Sequence, residues 1–142
     1  MLDHLQTLRA MAKGEVLEIG TDRGRSTSAL LLGIEEKGGH LTSVDINPAC
    51  GELFEGHPQW TFIHGSSLEC IPDKPWDLVF IDGGHDYETV KSDMAHVKKV
   101  GLMHDICAQP AFPGVRQAFD EWPGRKEILS ELSYGLGAIY VD

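Results

Sequence analysis

The chain is predicted to fold as an α/β structure: an open, mostly parallel sheet with helices on both faces, closed by an antiparallel strand pair. Three observations predict it. Short apolar runs alternate with amphipathic, helix-length segments through most of the 142 residues. Trp76-Asp77-Leu78-Val79-Phe80-Ile81 ends in an unbroken apolar stretch, the pattern of a central strand covered on both faces. Acids and glycines stand where the apolar runs stop, at the strand ends where sheets of this kind place their ligands. A chain of this length buries roughly 68–70% of its unfolded surface in one core. Residues 1–142 are therefore expected to form a single domain, with a short helix over 1–13 and the core over 14–142.

The elements follow in order. Leu2, Leu5, Leu8 and Met11 recur at helical spacing, so an amphipathic helix is expected over residues 2–12, punctuated by Gly14. Residues 16–19 are the first strand. Ser26 is read as the cap of a helix through Ala29, Leu30, Leu31, Leu32 and Ile34, stopped by Gly38-Gly39. Residues 41–45 are the second strand, and Asn47-Pro48 opens a turn and a short helix near 49–53. Residues 60–64 are the third strand, ended by Gly65-Ser66-Ser67. Residues 76–81 are the fourth, followed by the loop Asp82-Gly83-Gly84-His85. Val90, Met94 and Val97 share one face of a helix over 87–97. Residues 100–103 form a short fifth strand ending at His104-Asp105. After Pro110 and Pro113 a helix is expected over 114–122, and residues 126–132 and 137–141 make the closing antiparallel pair.

Composition excludes several classes of partner. The net charge of −10 opposes phosphate backbones and anionic membrane surfaces, so no nucleic acid and no membrane partner is expected. No apolar run approaches the ~20 residues of a membrane helix. Cys50, Cys70 and Cys107 are odd in number and lack CxxC spacing, as reduced thiols of a cytoplasmic protein would. The first ten residues mix Asp3, His4, Gln6 and Arg9 with leucines and contain no secretory apolar segment.

The most informative stretch is Val16-Leu17-Glu18-Ile19-Gly20-Thr21-Asp22-Arg23-Gly24-Arg25-Ser26. The two glycines, four positions apart, permit a sharp turn and close backbone approach to a ligand. Glu18 stands where the strand yields to the turn, placed to hold a positively charged or hydroxyl-bearing group. Asp45 ends the neighbouring strand. Two strand-end carboxylates suit a nucleoside, one of them gripping ribose hydroxyls.

Taken together, Glu18-Ile19-Gly20 with Gly24-Arg25-Ser26, then Ser43-Val44-Asp45-Ile46-Asn47-Pro48, then Phe80-Ile81-Asp82-Gly83-Gly84-His85, then His104-Asp105 resemble the class I S-adenosylmethionine-dependent methyltransferases, over roughly residues 14–142. The resemblance is to the small-molecule O-methyltransferase branch of catechol-like and sugar enzymes, and it implies a Rossmann-like fold. It also implies roles. Glu18, Gly20, Thr21 and Gly24 would form the loop around the methionine part of the cofactor, with Ser26 offering its hydroxyl or amide to the carboxylate. Asp45 would take both ribose hydroxyls, Ile46 would pack on the adenine, and Ser66 and Ser67 would reach its amino edge. Asp82 would lie beneath the sulfonium and, with Asp105, hold a divalent metal such as Mg²⁺.

The chain departs from the family pattern in four places. Ser66 stands where many relatives carry an acid. Ile106 stands where the third metal ligand, an Asn, is usual. The link before the fifth strand is compressed, and N-terminal lid helices are almost missing, which suggests a shallow pocket or one completed in a homodimer.

Methyl transfer from a sulfonium is an in-line displacement, so the site must position the acceptor and deprotonate or polarise its oxygen. Asp82 and Asp105 would do this through a hard cation. His85 or His104 would complete its shell or act as the base, histidine being the side chain that ordinarily titrates near neutrality. The other histidines, His4 among them, are expected at the surface or in loops. Two rivals fail on their motifs: Gly20 to Gly24 does not have the GxGxxG spacing of a nicotinamide-binding turn, and Asp82-Gly83-Gly84-His85 replaces the Pro-Pro-aromatic loop of amino-methylating DNA enzymes. A third remains: a cofactor-binding relative with no substrate site of its own.

Overall fold

The computed structural model describes residues 4–108 and 110–142; Leu2 and Asp3 of the expected first helix lie outside the described residues. Helix α1 (Leu5–Met11) leads into β1 (Gly14–Ile19), α2 (Arg25–Lys37) and β2 (Gly39–Asp45). A short 3-10 turn over Pro48–Glu52 precedes β3 (Trp60–His64) and β4 (Leu78–Ile81). Then come α3 (Tyr87–Met94), β5 (Val100–His104), α4 (Pro113–Asp120) and the closing strands β6 (Lys126–Ser130) and β7 (Leu136–Tyr140).

The seven strands lie in the order β3-β2-β1-β4-β5-β7-β6. The first five are mutually parallel, and β7 runs antiparallel to both β5 and β6. The chain leaves β1 toward β2 and β3 on one side, then returns to lay β4 on the other. That reversal between β1 and β4 is the switch point at which a crevice opens above the strand ends.

Alternation along the strands builds a core on each face. Leu17, Ile19, Val79, Ile81 and Met103 pack on Val90 and Met94 of α3 and Val115 and Phe119 of α4. Val16, Leu41, Leu78, Phe80 and Leu102 pack on Leu8 of α1 and Leu30 and Ile34 of α2. All four residues of β4 are buried, as its continuous apolar run requires.

Three expectations change. Ser26 is not a cap: Gly24, at φ +86°, occupies that position with no side chain to offer, and Ser26 is turned inward onto Glu18. β4 starts at Leu78, because Trp76 is buried with its indole N–H on the Pro72 carbonyl instead of pairing in the sheet. Helix α3 ends at Met94; the next three amides bond to carbonyls three residues back, tightening the last turn.

Candidate active site

Four strand ends are laced together where β3, β2, β1 and β4 lie side by side. The Gly20 amide donates to the Val44 carbonyl (2.9 Å), the Asp82 amide to the Ile19 carbonyl (2.9 Å), and the Gly65 amide to the Asp45 carbonyl (3.0 Å). Gly20 has no substitute here. Its φ is +92°, and a Cβ would lie 2.1 Å from the Asp82 carbonyl oxygen, so only a bare backbone lets the two turns touch.

Glu18 is fully buried beneath this turn. Its Oε2 accepts from the Ser26 hydroxyl (2.6 Å), and Oε1 accepts from the hydroxyls of Thr27 (2.6 Å) and Ser43 (2.8 Å). Burial pushes its pKa up to about 7 against the lowering effect of these three donors. Glu18 lines neither cavity of the site. The expectation of a ligand clasped between Glu18 and Asp45 is corrected in this respect: the hydroxyl-bearing groups that Glu18 holds belong to the protein, and they tie the start of α2 to β1 and β2. The Ser26 hydroxyl is committed to the same task.

Asp45 does reach the crevice. Its Oδ2 accepts the amides of Thr21 (2.8 Å) and Asp22 (3.1 Å), and its Oδ1 accepts the amide of Asn47 (2.9 Å). Partial burial raises its pKa, but the amides of Asn47, Asp22 and Thr21 outweigh that and hold it below the usual carboxylate range. Oδ2 is thus saturated, and Oδ1 keeps acceptor capacity toward the cavity.

Asp45 lines a cleft of about 380 Å³ together with Gly20, Ile46, Ser66, Ser67 and Asp82. Ile46 is 74% exposed on its wall, an apolar side chain with nothing packed on it. At Asp22 and Asp82, which line both, this cleft adjoins a cavity of about 810 Å³. The larger space is walled by Thr21, Ser26, His85, His104, Asp105 and Phe112, among others. The Thr21 hydroxyl is buried at this wall without a hydrogen-bond partner.

On the floor between the two spaces sits a carboxylate–imidazole cluster. His104 Nδ1 is 3.2 Å from an oxygen of Asp82 and 3.2 Å from one of Asp105. Its Nε2 lies 2.9 Å from the Ser133 carbonyl, which can only accept, so both ring nitrogens donate. Burial alone would lower the His104 pKa; the hydrogen bonds and charges of Asp105 and Asp82 overcome it and raise it to about 10. Asp82 is pushed up, chiefly by its burial and despite His104. Asp105 resists its burial and is held down by His104 and His85. Both ring nitrogens of His104 are thus engaged, one by the two acids and one by the Ser133 carbonyl, and neither is left to act as the base expected of it.

His85 differs. It is half-buried, its Nε2 is 2.8 Å from Asp105 Oδ2, and its ring stacks on Phe112 with centroids 4.0 Å apart. An ionised carboxylate only accepts, so Nε2 donates to it, and Nδ1 is the ring nitrogen without a hydrogen-bond partner among the described residues. His85, Asp82 and Asp105 each offer one ligand atom, all within 4.8 Å of one another.

The sequence reading missed two features. His4 is buried, not at the surface. Its ring meets that of His104 edge-on with centroids 5.3 Å apart, and its Nε2 reaches the Leu132 carbonyl (2.8 Å), so α1 closes the far side of the cluster. Asp93, on α3, is fully buried behind Gly83. The second feature had a signal: an acid three positions past Val90 on the apolar face of its helix. Strain also marks the site. The four non-glycine residues with positive φ among those described are Asp22, Asp105, Ser133 and Tyr134, and three of them line the larger cavity.

This fold, with acids and a glycine turn at a sheet's switch point, is the Rossmann-like fold that the resemblance to class I S-adenosylmethionine-dependent methyltransferases implies. Residues 17–101 match the family described as a methyltransferase domain, and the chain belongs to that family. No curated protein sequence matches it. Among solved structures, it is similar to cofactor-bound Rv0187 from MTB (18% identity, TM-score 0.77, covering 99% of this chain and 80% of that one). It is similar to the SAH-bound methyltransferase PaMTH1 from Podospora anserina (19% identity, TM-score 0.71, 97% and 76%). It is also similar to an O-methyltransferase from Bacillus cereus in complex with SAH (18% identity, TM-score 0.69, 96% and 79%). Among the described residues no helix is long and apolar enough to cross a membrane.

Proposed function

We propose that the chain transfers a methyl group from S-adenosylmethionine to a hydroxyl of a small molecule, with the cofactor's nucleoside in the smaller cleft, its amino-acid end at the Thr21 edge of the larger cavity, and the acceptor in the rest of that cavity. One observation carries this reading: the cleft holding Asp45 and the uncovered Ile46 meets, at Asp82, a second cavity floored by His85, Asp82 and Asp105. A cofactor seated along the first would present its sulfonium at that junction. The second cavity, of about 810 Å³, has room for a small acceptor, which favours an enzyme over a cofactor-binding relative without a substrate site.

In this reading Asp45 Oδ1 takes a ribose hydroxyl, Ile46 covers one face of the adenine, and Ser66 and Ser67 border its edge. The Gly20 turn passes the methionine part, where the unpartnered Thr21 hydroxyl and the first amides of α2 meet its amino-acid group. The acceptor oxygen attacks the methyl carbon as the carbon–sulfur bond breaks, and the sulfonium becomes a neutral thioether. The acceptor's proton passes to Nδ1 of His85, which Asp105 orients through Nε2. His104, held between Asp82 and Asp105, fixes both carboxylates in place.

Asp82, His85 and Asp105 supply two oxygens and one imidazole nitrogen, a donor set that suits a divalent ion of mixed preference better than Mg²⁺, which favours oxygen alone. Such an ion, when bound, would polarise the acceptor oxygen.

The test is calorimetry with S-adenosylhomocysteine, followed by methyl transfer to a panel of phenols and sugars. The expected result is micromolar-scale binding and turnover on at least one hydroxyl. Absence of binding to the folded chain removes the proposal.

A further inference from the structure

The larger cavity is lined by three acids, Asp22, Asp82 and Asp105, and by two arginines that stand apart from the rest of the chain's basic residues. Acids outnumber basic residues 22 to 12. Three of the five arginines are paired with them: Arg9 with Glu36, Arg116 with Asp120, and Arg125 with Asp142. The other two, Arg23 and Arg25, are exposed, and among the described residues neither has an ion pair or a side-chain hydrogen bond. Both line the same cavity as the His85 cluster. In a chain with so many acids, two unpaired guanidinium groups on one wall are a place where an anion is welcome when most of the surface repels it.

Two more observations set what that anion is attached to. Phe112, stacked on His85, and Tyr134, 67% exposed and held at φ +69°, line the same cavity and present ring surface to its contents. The cofactor's own carboxylate has amides available at the start of α2, whose cap position carries no side chain, so the arginine side chains are left for a different group.

We propose that Arg23 and Arg25 select an acceptor carrying a carboxylate or phosphate beside the hydroxyl to be methylated, the guanidinium groups holding the anion while the hydroxyl faces His85. This rests on the assignment of the larger cavity to the acceptor. A planar guanidinium donates two parallel hydrogen bonds to either oxyanion, so the shared chemistry is an oxyanion on a hydroxylated scaffold.

The experiment uses the full chain saturated with S-adenosylhomocysteine and measures binding of matched acid and neutral pairs: protocatechuate and its amide, glucuronate and glucose, glucose 6-phosphate and glucose. At least one acid should bind about tenfold or more tightly than its neutral twin, a difference of about 1.4 kcal/mol. In the Arg23→Gln/Arg25→Gln double variant that preference should vanish, while S-adenosylhomocysteine affinity stays within about twofold. A wild-type chain with no preference for any acid overturns the proposal, as does a preference that survives in the variant. A roughly tenfold loss of S-adenosylhomocysteine affinity in the variant also overturns it, by assigning the arginines to the cofactor's carboxylate. Failure of the wild-type chain to bind S-adenosylhomocysteine at all is seen before any acid is added, and refutes the cofactor assignment itself.

Discussion

Asp93 should destabilise this protein at neutral pH, by an amount that the structure allows to be worked out. Its carboxylate is fully buried with neither oxygen hydrogen-bonded, and the Ser67 hydroxyl offsets only part of the cost. Burial raises its pKa from 3.8 to about 6. The folded state therefore holds the proton more tightly than the unfolded state, and stability falls as pH rises between the two values. At about 1.36 kcal/mol per unit, the ionised carboxylate costs the fold about 3 kcal/mol near pH 7.5 and about 1 kcal/mol near pH 4.5. Asp93→Asn keeps the shape and removes the charge. Urea unfolding at both pH values should show the variant more stable by about those amounts, the gain shrinking roughly threefold on acidification. Glu18, also raised by burial, titrates equally in both proteins and cancels in the difference. A variant that is less stable than wild type near neutral pH would refute the reasoning, because Asp93 would then be accepting a hydrogen bond that Asn breaks. A gain independent of pH would refute it too.

Other perturbations test the site itself. Asp45→Ala removes the acceptor for the amides of Thr21, Asp22 and Asn47 as well as a ribose contact, and calorimetry should show S-adenosylhomocysteine binding weakened by about tenfold or more. His85→Gln should lower turnover by about a hundredfold or more, with S-adenosylhomocysteine affinity unchanged, since it lines the acceptor's cavity and not the nucleoside cleft. Gly20→Ala forces a Cβ to 2.1 Å from the Asp82 carbonyl at a φ of +92°, and thermal unfolding should report a loss of at least about 2 kcal/mol.

Much of the fold was legible in the residues. The apolar run of β4, the helix stop at Gly38 and the glycine turn after β1 follow from local rules: burial on both faces, missing Cβ atoms and alternation at period two. The ends of α3 and β4 were misjudged because tertiary contacts set them, Trp76 being drawn into the core and the α3 terminus tightening into a shorter turn. The site divided in the same way. Asp45 and Ile46 were found where a strand-end reading put them, on the wall of a cleft. Glu18 and Ser26 were assigned outward because a motif gives spacing but not the direction of a side chain.

The chain's own order of apolar runs, glycines and acids determined the class of fold and which strand ends carry the site, because those follow from periodicity and backbone freedom that each short segment holds by itself. Only the folded structure decided that Glu18 serves three protein hydroxyls, that His104 bridges Asp82 and Asp105, and that His85 meets Asp105 through Nε2. Those outcomes depend on burial and on charges brought within about 3 Å from distant parts of the chain, where the Coulomb and desolvation energies that set protonation become large.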